Sequence, residues 1–445
     1  MPATLHLLDR TITFSSAAEN ETDILRKVDL AGQTRKFYAY LWTHKNEIEA
    51  VTAHHLHMSR MERCVVSYQD EWIHGRFNIC VPVLVMRKNG TSSRKPGTVD
   101  EKMGCEVATY VWMQDNCSEI STPHLWAFAF SDGRAVKTTV KTGYVLLDYI
   151  EPTVGTMLSN SWRQHIDDPV RRGNLLKGIA RITLLLARTP MPRIRSFTFH
   201  DDGTLSLSNQ PLTCPLVIME NNGASRPYIS DLLNYHDNRF LHQPNAINDE
   251  DDGRSQMATK TMLQSISHHY FHRSHRNGPF VLSLTDCHQS NLLVDEDWNI
   301  KYLIDLEWVC SLPVEMCTPP TWLTGQDEYD EARKEFIRIL REEGKKLLLR
   351  AQGGSSVAQH MESGWANGRF WYCRCLTSVN AMYNIFDDHI RQHYYPTELT
   401  KRMDEVISKF WSKDSEDILR KKLVDKLGYD HELRRRFGEA ESKAE

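Results

Sequence analysis

The stretch from Phe280 to Trp308 holds the residue types that phosphoryl transfer requires. Asp286 and Asn291 are separated by four residues, and Asp305 follows at the end of a second strand-like run. Transfer of a phosphoryl group depends on positioning and charge neutralisation more than on covalent help from the protein. A first carboxylate orients the attacking hydroxyl and takes its proton, whereas an amide oxygen and a second carboxylate can bind Mg²⁺. These roles suggest Asp286 as the candidate base and Asn291 and Asp305 as candidate metal ligands.

Two apolar runs must hold these side chains in place. Phe280–Leu284 and Ile300–Ile304 have the length and composition of buried strands, and each ends just before one of the aspartates. Between them we predict a polar turn and a hairpin-like return. Aspartate and asparagine are also common in turns and caps. The ordered succession of strand, D-x-H-x-x-N loop, hairpin and I-D-x-E favours a functional site over that alternative.

The rest of the chain predicts a mixed α and β protein whose character changes near residue 150. Before that point helices are predicted over 36–57 and 99–114, and strands over 64–68, 77–86, 125–130 and 142–150. After it, helices are predicted over 175–186, 255–276, 326–351, 367–392 and 399–427, and an irregular segment over 200–256.

Length and composition narrow the class of protein. A chain of 445 residues is expected to form two packed lobes or domains. Its net charge of -4 predicts neither nucleic-acid binding nor attachment to an anionic membrane. The ten cysteines include no C-x-x-C pair, which favours reduced thiols over disulfides or a zinc site. Without a signal peptide or a membrane-length apolar run, we expect a cytoplasmic protein. The oligomeric state is not predicted.

The sequence DCHQSN at Asp286–Asn291 resembles the D-x-H-x-x-N catalytic loop of the aminoglycoside phosphotransferase family. IDLEW at Ile304–Trp308 is similar to the metal-binding segment of that family. The blocks HDNRFLHQPNAINDEDD and VCSLPVEMCTPPTWLTG resemble fungal members in particular, and the likeness extends from about Trp72 to Trp371. It implies an α+β, two-lobed, protein-kinase-like fold. The expected parts are a small β-rich N-lobe at 1–147, a larger helical C-lobe at 148–435 and a polar tail at 436–445.

The resemblance also implies ligands and roles. It implies ATP as phosphate donor, Mg²⁺ as cofactor and a small-molecule acceptor, with Asp286 as catalytic base and Asn291 and Asp305 as metal ligands. His288 fits the second histidine of the family's loop, where a direct catalytic role and a purely structural role both stay open. The run EVATYVWMQ is similar to the family's N-lobe helix, which makes Glu106 the candidate partner of a basic strand residue. A solvated helix glutamate is the alternative.

Nucleotide contacts are predicted at two further places. The run GYVLLDYIE resembles the strand and hinge between the lobes, where the backbone of Asp148, Tyr149 and Ile150 would contact the adenine. The phosphate cover would fall to Gly75 and its neighbours, because the chain contains no G-x-G-x-x-G or Walker A sequence.

Two departures from the family pattern bear on activity. Leu284 stands where the family's loop usually has a histidine, and only the polar run 87–96 lies between the strand at 77–86 and the helix that carries Glu106. This arrangement predicts that the strand with the phosphate-binding cation is missing, which leaves Arg87, Lys88, Arg94 and Lys95 of the polar loop as candidates for the phosphate contact. The favoured function is therefore an ATP- and Mg²⁺-dependent phosphotransferase acting on a hydroxyl or amine of a small molecule. The alternatives are a kinase-fold pseudoenzyme that binds a ligand or partner, or a kinase fold used for other metabolite chemistry.

Overall fold

The computed structural model describes thirteen stretches of the chain. These are residues 4–8, 10–58, 63–74, 79–86, 93–94, 100–130, 142–200, 202–211, 228–271, 275, 277–323, 329–347 and 357–438. Within them the protein is mixed helix and strand and is mostly helical, as the sequence predicts. None of the helices described there is long and apolar enough to span a bilayer.

The strands are short, and most of them belong to two- or three-stranded sheets. In chain order they are β1 Thr4–His6, β2 Thr11–Thr13, β3 Arg63–Val66, β4 Ile73–His74, β5 Ile79–Cys80, β6 Val83–Met86, β7 Ser93–Arg94, β8 Leu125–Ala129, β9 Tyr144–Asp148, β10 Thr156–Met157, β11 Ser196–Phe199, β12 Leu205–Asn209, β13 Phe280–Leu284, β14 Leu292–Val294, β15 Ile300–Leu303 and β16 Val309–Pro313.

The helices vary from one turn to about six. They are α1 Phe14–Ala18, α2 Ile24–Thr43, α3 Lys45–His55, α4 Asp100–Asn116, α5 Trp162–His165, α6 Pro169–Ala187, α7 Tyr228–His242, α8 Glu250–Tyr270, α9 Tyr329–Lys346, α10 Val357–Ala366, α11 Arg369–Thr377, α12 Met382–His389, α13 Thr400–Ile407 and α14 Ser415–Phe437.

The chain divides into two compact units, each built from separated segments. The first unit comprises residues 1–38, 217–274 and 364–445, and the second comprises residues 39–216 and 275–363. The lobe boundary predicted between residues 147 and 148 lies inside the second unit, where it stays a prediction. The predicted polar tail begins within α14, which continues to Phe437.

A five-stranded sheet and a hairpin system organise the second unit. The sheet has the order β3-β6-β7-β9-β8, and all its described pairings are antiparallel. Helix α4 packs on β11 and contacts β8, β9 and β16. One large apolar core joins side chains of α4, α6 and α9 to those of β13–β16, and includes Tyr110, Trp298 and Phe336. This core fixes the strands that carry the candidate site.

The first unit is almost entirely helical. Its N-terminal hairpin and α1 pack against the last turns of α14, where Ile12, Ile24, Leu433 and Phe437 are buried together. The Tyr429 hydroxyl accepts a hydrogen bond of 2.9 Å from the backbone N–H of Ile24. Burial of Phe437 explains why α14 extends into the predicted tail.

The segment 36–57, predicted to be one helix, is divided between α2 and α3. The break occurs where two side chains, instead of a backbone N–H, bond to the Tyr40 carbonyl oxygen. Thr43 Oγ1 donates to the Tyr40 carbonyl at 2.7 Å, and His44 Nδ1 lies 2.8 Å from the same oxygen. The backbone N–H of His44 therefore bonds to Leu41 instead. Such side-chain competition for the backbone ends a helix.

The segment 200–256, predicted to be irregular, holds β12, α7 and the first turns of α8 among its described residues. Helix α7 buries Leu232, Leu233, His236 and Phe240, a helical spacing that its many polar residues obscure in the sequence. Asp249 caps α8 by accepting a hydrogen bond from the N–H of Asp252.

Acid is expected to destabilise the first unit through His236. Its Nε2 donates to the Leu376 carbonyl at 2.9 Å, and burial lowers the pKa of the ring to about 4. Burial disfavours the charged ring in the folded protein, so the folded pKa lies below the ordinary value of 6.5. The free energy of unfolding that the neutral ring contributes is therefore complete above that value and is lost as the pH falls towards 4. The slope contributed by this group is on the order of 1 kcal/mol per pH unit.

Thermal unfolding between pH 7 and pH 4 tests this effect. His236→Gln keeps a donor for the Leu376 carbonyl and removes the titration, so its melting temperature should depend less on pH than that of the wild type. The control is His431→Gln on α14, which replaces an exposed histidine. If the melting temperatures of the wild type and of His236→Gln depend equally on pH, His236 is not the cause of the loss of stability in acid.

Candidate active site

The loop after β13 positions Asp286 and Asn291 through a set of local hydrogen bonds. Strand β13 pairs antiparallel with β16, so the loop starts from a fixed edge. The Asn291 Nδ2 donates to the Asp286 carbonyl oxygen at 2.9 Å, and the backbone N–H of Asn291 donates to the backbone carbonyl oxygen of His288 at 3.0 Å. Because the side-chain nitrogen of Asn291 is engaged in this bond, the side-chain oxygen is the atom that can bind a metal.

His288 supports the same loop from its exposed side. Its Nδ1 accepts a hydrogen bond of 3.1 Å from the backbone N–H of Ser290. An accepting Nδ1 assigns the proton of the neutral ring to Nε2. That Nε2 lies 3.8 Å from a carboxylate oxygen of Asp286, which is too long for a hydrogen bond but close enough for electrostatic attraction. His288 therefore caps the loop and also faces the candidate base.

Asp305 reaches the loop through the β14–β15 hairpin. The hairpin returns the chain so that the backbone N–H of Ile304 donates to the Asn291 carbonyl oxygen at 3.0 Å. Asp305 itself has φ of 61°, a left-handed conformation that costs a non-glycine residue on the order of 1 kcal/mol. Such a conformation persists only where the surrounding structure imposes it, which favours a functional role for this residue.

The carboxylate of Asp305 is poorly satisfied. Its Oδ1 is buried and has no hydrogen-bond partner. Burial raises the pKa of this carboxyl to about 7, and the charges of Glu307 and Asp286 add to the effect while Lys102 opposes it. A buried acceptor without a partner, beside other carboxylates, is a site that a cation would stabilise.

Helix α4 brings a charged face to the same place. Lys102, Glu106 and Tyr110 are spaced by four residues and therefore lie on one side of the helix. The Lys102 Nζ forms an ion pair of 2.6 Å with Glu307, and the two side chains are only 4% and 2% exposed. Burial, followed by the charges of Glu307 and Asp305, raises the pKa of Glu106 well above its usual value.

Glu106 is thus a buried residue near Asp305 and Glu307, not a solvated helix glutamate. Among the described residues, the basic side chain whose charge acts on Glu106 is that of Lys102 from its own helix. The predicted partner on a neighbouring strand stays a prediction. Sequence reasoning overlooked Lys102, although its position four residues before Glu106 on an amphipathic helix was a usable signal.

A short strand is present in the run 87–96, where the sequence predicted none. Ser93–Arg94 forms β7, which pairs with β6 on one side and β9 on the other. Polar residues hid this strand, because backbone pairing does not require apolar side chains at each position. Arg94 lies on it opposite Leu147, whereas Arg87, Lys88 and Lys95 lie outside the described residues.

The predicted hinge begins at Asp148, the last residue of β9. The backbone N–H of Asp148 donates to the backbone carbonyl oxygen of His124 at 3.0 Å, and the Asp148 carboxylate accepts from the Trp126 indole N–H at 2.7 Å. With this N–H engaged, an adenine that needs a backbone donor would have to use Tyr149 or Ile150.

Strands β4 and β5 pair antiparallel on either side of residues 75–78. Gly75, the predicted phosphate cover, lies outside the described residues.

The donor set fits Mg²⁺ better than a metal that needs an all-protein cage. Within the described ranges no group of three His, Cys, Asp or Glu side chains has metal-holding geometry. Mg²⁺ characteristically takes one or two carboxylates from the protein and completes its shell with phosphate oxygens and water. Asp305, with its unpartnered oxygen, and the Asn291 amide oxygen meet that requirement.

The chain is similar to known proteins in three-dimensional structure. No protein-family model and no curated protein matches the chain. Among solved structures, the chain is similar to an ethanolamine kinase from Plasmodium vivax, with a TM-score of 0.40, 11% identity and coverage of 78% of this chain and 81% of that one. It is also similar to an aminoglycoside phosphotransferase from Alicyclobacillus acidocaldarius, with a TM-score of 0.28, 9% identity and coverage of 83% and 92%. At these values neither likeness establishes a shared fold or a shared activity.

Proposed function

We propose that the protein is an ATP- and Mg²⁺-dependent phosphotransferase that acts on a hydroxyl or amine of a small molecule. The observation that carries the proposal is the joined geometry of the catalytic loop, Asp286–Asn291, and of Ile304–Trp308, which we call the metal segment. The Asn291 side chain donates to the Asp286 carbonyl oxygen, and the Asn291 backbone carbonyl accepts from the N–H of Ile304. These two bonds connect the loop of Asp286 to the residue that precedes Asp305. A two-lobed kinase-like fold and membership in the aminoglycoside phosphotransferase family, with its fungal members, belong to the same proposal.

The side chains have distinct tasks in this reaction. The Asp286 carboxylate accepts the proton of the acceptor hydroxyl or amine as that group attacks the γ-phosphorus of ATP, and the bond from that phosphorus to the oxygen of the leaving ADP breaks. The Asn291 amide oxygen and Asp305 would hold Mg²⁺, which supplies neutralisation of the phosphate charge when bound. The Nε2 of His288 steadies the Asp286 carboxylate electrostatically across 3.8 Å.

The nucleotide would bind on the side of β7 and β9. The backbone at Tyr149 and Ile150 would contact the base, and Gly75 would cover the phosphates. Arg94 is the preferred candidate for the phosphate-binding cation because it lies on the strand that precedes α4. The absence of disulfides among the described cysteines is compatible with the cytoplasmic location that we propose.

The binding-only alternative rested mainly on the missing strand, and the short strand β7 supports an enzyme over that alternative. Leu284 in place of the family's histidine is the remaining departure. Its backbone pairs with Val309, and the neighbouring Thr285 hydroxyl donates to the Trp308 carbonyl at 2.6 Å. The loop is therefore anchored without that histidine.

Thermal unfolding with Mg²⁺, ATP, or both tests the proposal. Together they should stabilise the protein by about 2.7 kcal/mol when the free complex is at about one hundred times its dissociation constant, and either one alone should do less. Mass spectrometry of candidate acceptors incubated with ATP then shows whether phosphate is transferred. No stabilisation by Mg²⁺ and ATP together would refute the proposal. Binding without transfer to any acceptor, and without ATP hydrolysis, would support the pseudoenzyme.

A further inference from the structure

The buried ion pair between Lys102 and Glu307 has a position that a purely structural pair would not need. Lys102 lies in the first turn of α4, and Glu307 lies two residues after Asp305. The ion pair measures 2.6 Å, and the Lys102 Nζ also lies 5.5 Å from the centre of the Trp308 ring. Withdrawal of two charges from water is unfavourable, and apolar residues of similar size would often be at least as stable. A specific geometric role would account for the pair.

That role concerns the backbone around Asp305, which is fixed from both ends. Upstream, the Ile304 N–H donates to Asn291 at 3.0 Å. Downstream, the Trp308 carbonyl accepts from the Thr285 hydroxyl at 2.6 Å, and Glu307 is held by Lys102. The left-handed Asp305 stands between these two anchors. Loss of the downstream anchor would let the backbone relax towards ordinary conformations.

Charge alone cannot be the reason for the pair. The Lys102 ammonium acts on Asp305 as a positive charge, so it opposes the binding of a cation there. The Glu307 carboxylate acts on Asp305 as a negative charge and would favour a cation. The two charges thus have opposite effects on the binding of a metal. As an ion pair, however, they contribute together to one link between α4 and the metal segment.

We propose that Lys102 and Glu307 are positioning residues which lock the metal segment to helix α4 and hold Asp305 in its metal-binding conformation. This inference rests on the proposed function for its metal-binding part. The link itself is a property of the protein without metal.

The first test is hydrogen exchange of the metal-free protein. Lys102→Met and Glu307→Gln should each speed exchange of the backbone amides between residues 304 and 308 by roughly tenfold or more. The matched control is the exposed ion pair of the same unit, Arg188 with Glu119 at 2.6 Å, changed to Arg188→Met and Glu119→Gln. The control variants should leave exchange at 304–308 unchanged. Unchanged protection in Lys102→Met and Glu307→Gln would overturn the proposal.

The second test is the affinity for Mn²⁺ in the presence of ADP, measured by electron paramagnetic resonance. Loss of position weakens binding in both single variants, by roughly tenfold or more. A pure charge effect instead gives opposite signs, with tighter binding for Lys102→Met and weaker binding for Glu307→Gln. Opposite signs would overturn the proposal.

The double variant Lys102→Met with Glu307→Gln covers the case in which a single variant does not fold. It removes both charges of the pair together, so neither partner is left buried without the other, and it should therefore be more stable than either single variant. It should still show fast exchange at 304–308 and weak Mn²⁺ binding, and wild-type behaviour in both would overturn the proposal. If the wild type itself binds no Mn²⁺ with ADP, the proposed function fails, while the exchange experiment still decides the link.

Discussion

Asp286→Asn is expected to lower the rate of phosphate transfer by roughly 10²–10⁴ while leaving the binding of Mg²⁺ and ATP intact. Asparagine has the shape of aspartate but cannot take the proton of the attacking group. The loop should keep its structure, because the bond from Asn291 goes to the backbone carbonyl of Asp286 and not to its side chain. The rate under saturating ATP and acceptor measures the loss, and thermal shift measures retained nucleotide binding.

The control for this prediction is Asp297→Asn. Asp297 is an exposed residue in the turn between β14 and β15, so the same chemical change is made a short distance along the chain. It should leave the rate within about twofold, as is usual for surface substitutions away from special features. If Asp286→Asn keeps wild-type turnover, another group takes the proton and the role assigned to Asp286 is wrong.

The local part of the candidate site was predictable because its residues lie close together in the sequence. Strand β13 has the predicted bounds, and the hairpin return ends one residue earlier than predicted. Apolar runs of strand length, interrupted by turn-forming residues, are signals that a single sequence carries. The same holds for α4, which was predicted over 99–114 and spans Asp100–Asn116.

The long-range part was not predictable from the same signals. Lys102 and Glu307 are far apart in the chain, and nothing in either local pattern indicates that they form a buried pair. Lysine and glutamate on a helix or loop are usually exposed. Strand β7 was missed for a related reason: a two-residue strand between β6 and β9 owes its existence to its neighbours and not to its own composition.

Asp305→Asn is expected to separate stability from function. Without metal at pH 8, the variant should be more stable than the wild type by about 1–2 kcal/mol, because an unpaired buried charge is removed from the neighbourhood of Glu106 and Glu307. Asparagine also tolerates the left-handed conformation with φ of 61°. Urea unfolding of both proteins measures the difference, and Asp297→Asn again serves as control.

The same substitution should abolish the Mg²⁺-dependent part of ATP binding and reduce transfer to the background of the assay. A neutral amide oxygen attracts a divalent cation far less than a carboxylate does, and the described residues contain no group of three His, Cys, Asp or Glu side chains that could hold the ion instead. The two results constrain each other. A variant that is less stable and still binds Mg²⁺ with ATP would mean that Asp305 is a structural turn residue. Greater stability with loss of the Mg²⁺ effect is what a residue kept for metal binding, at a cost to the fold, should show.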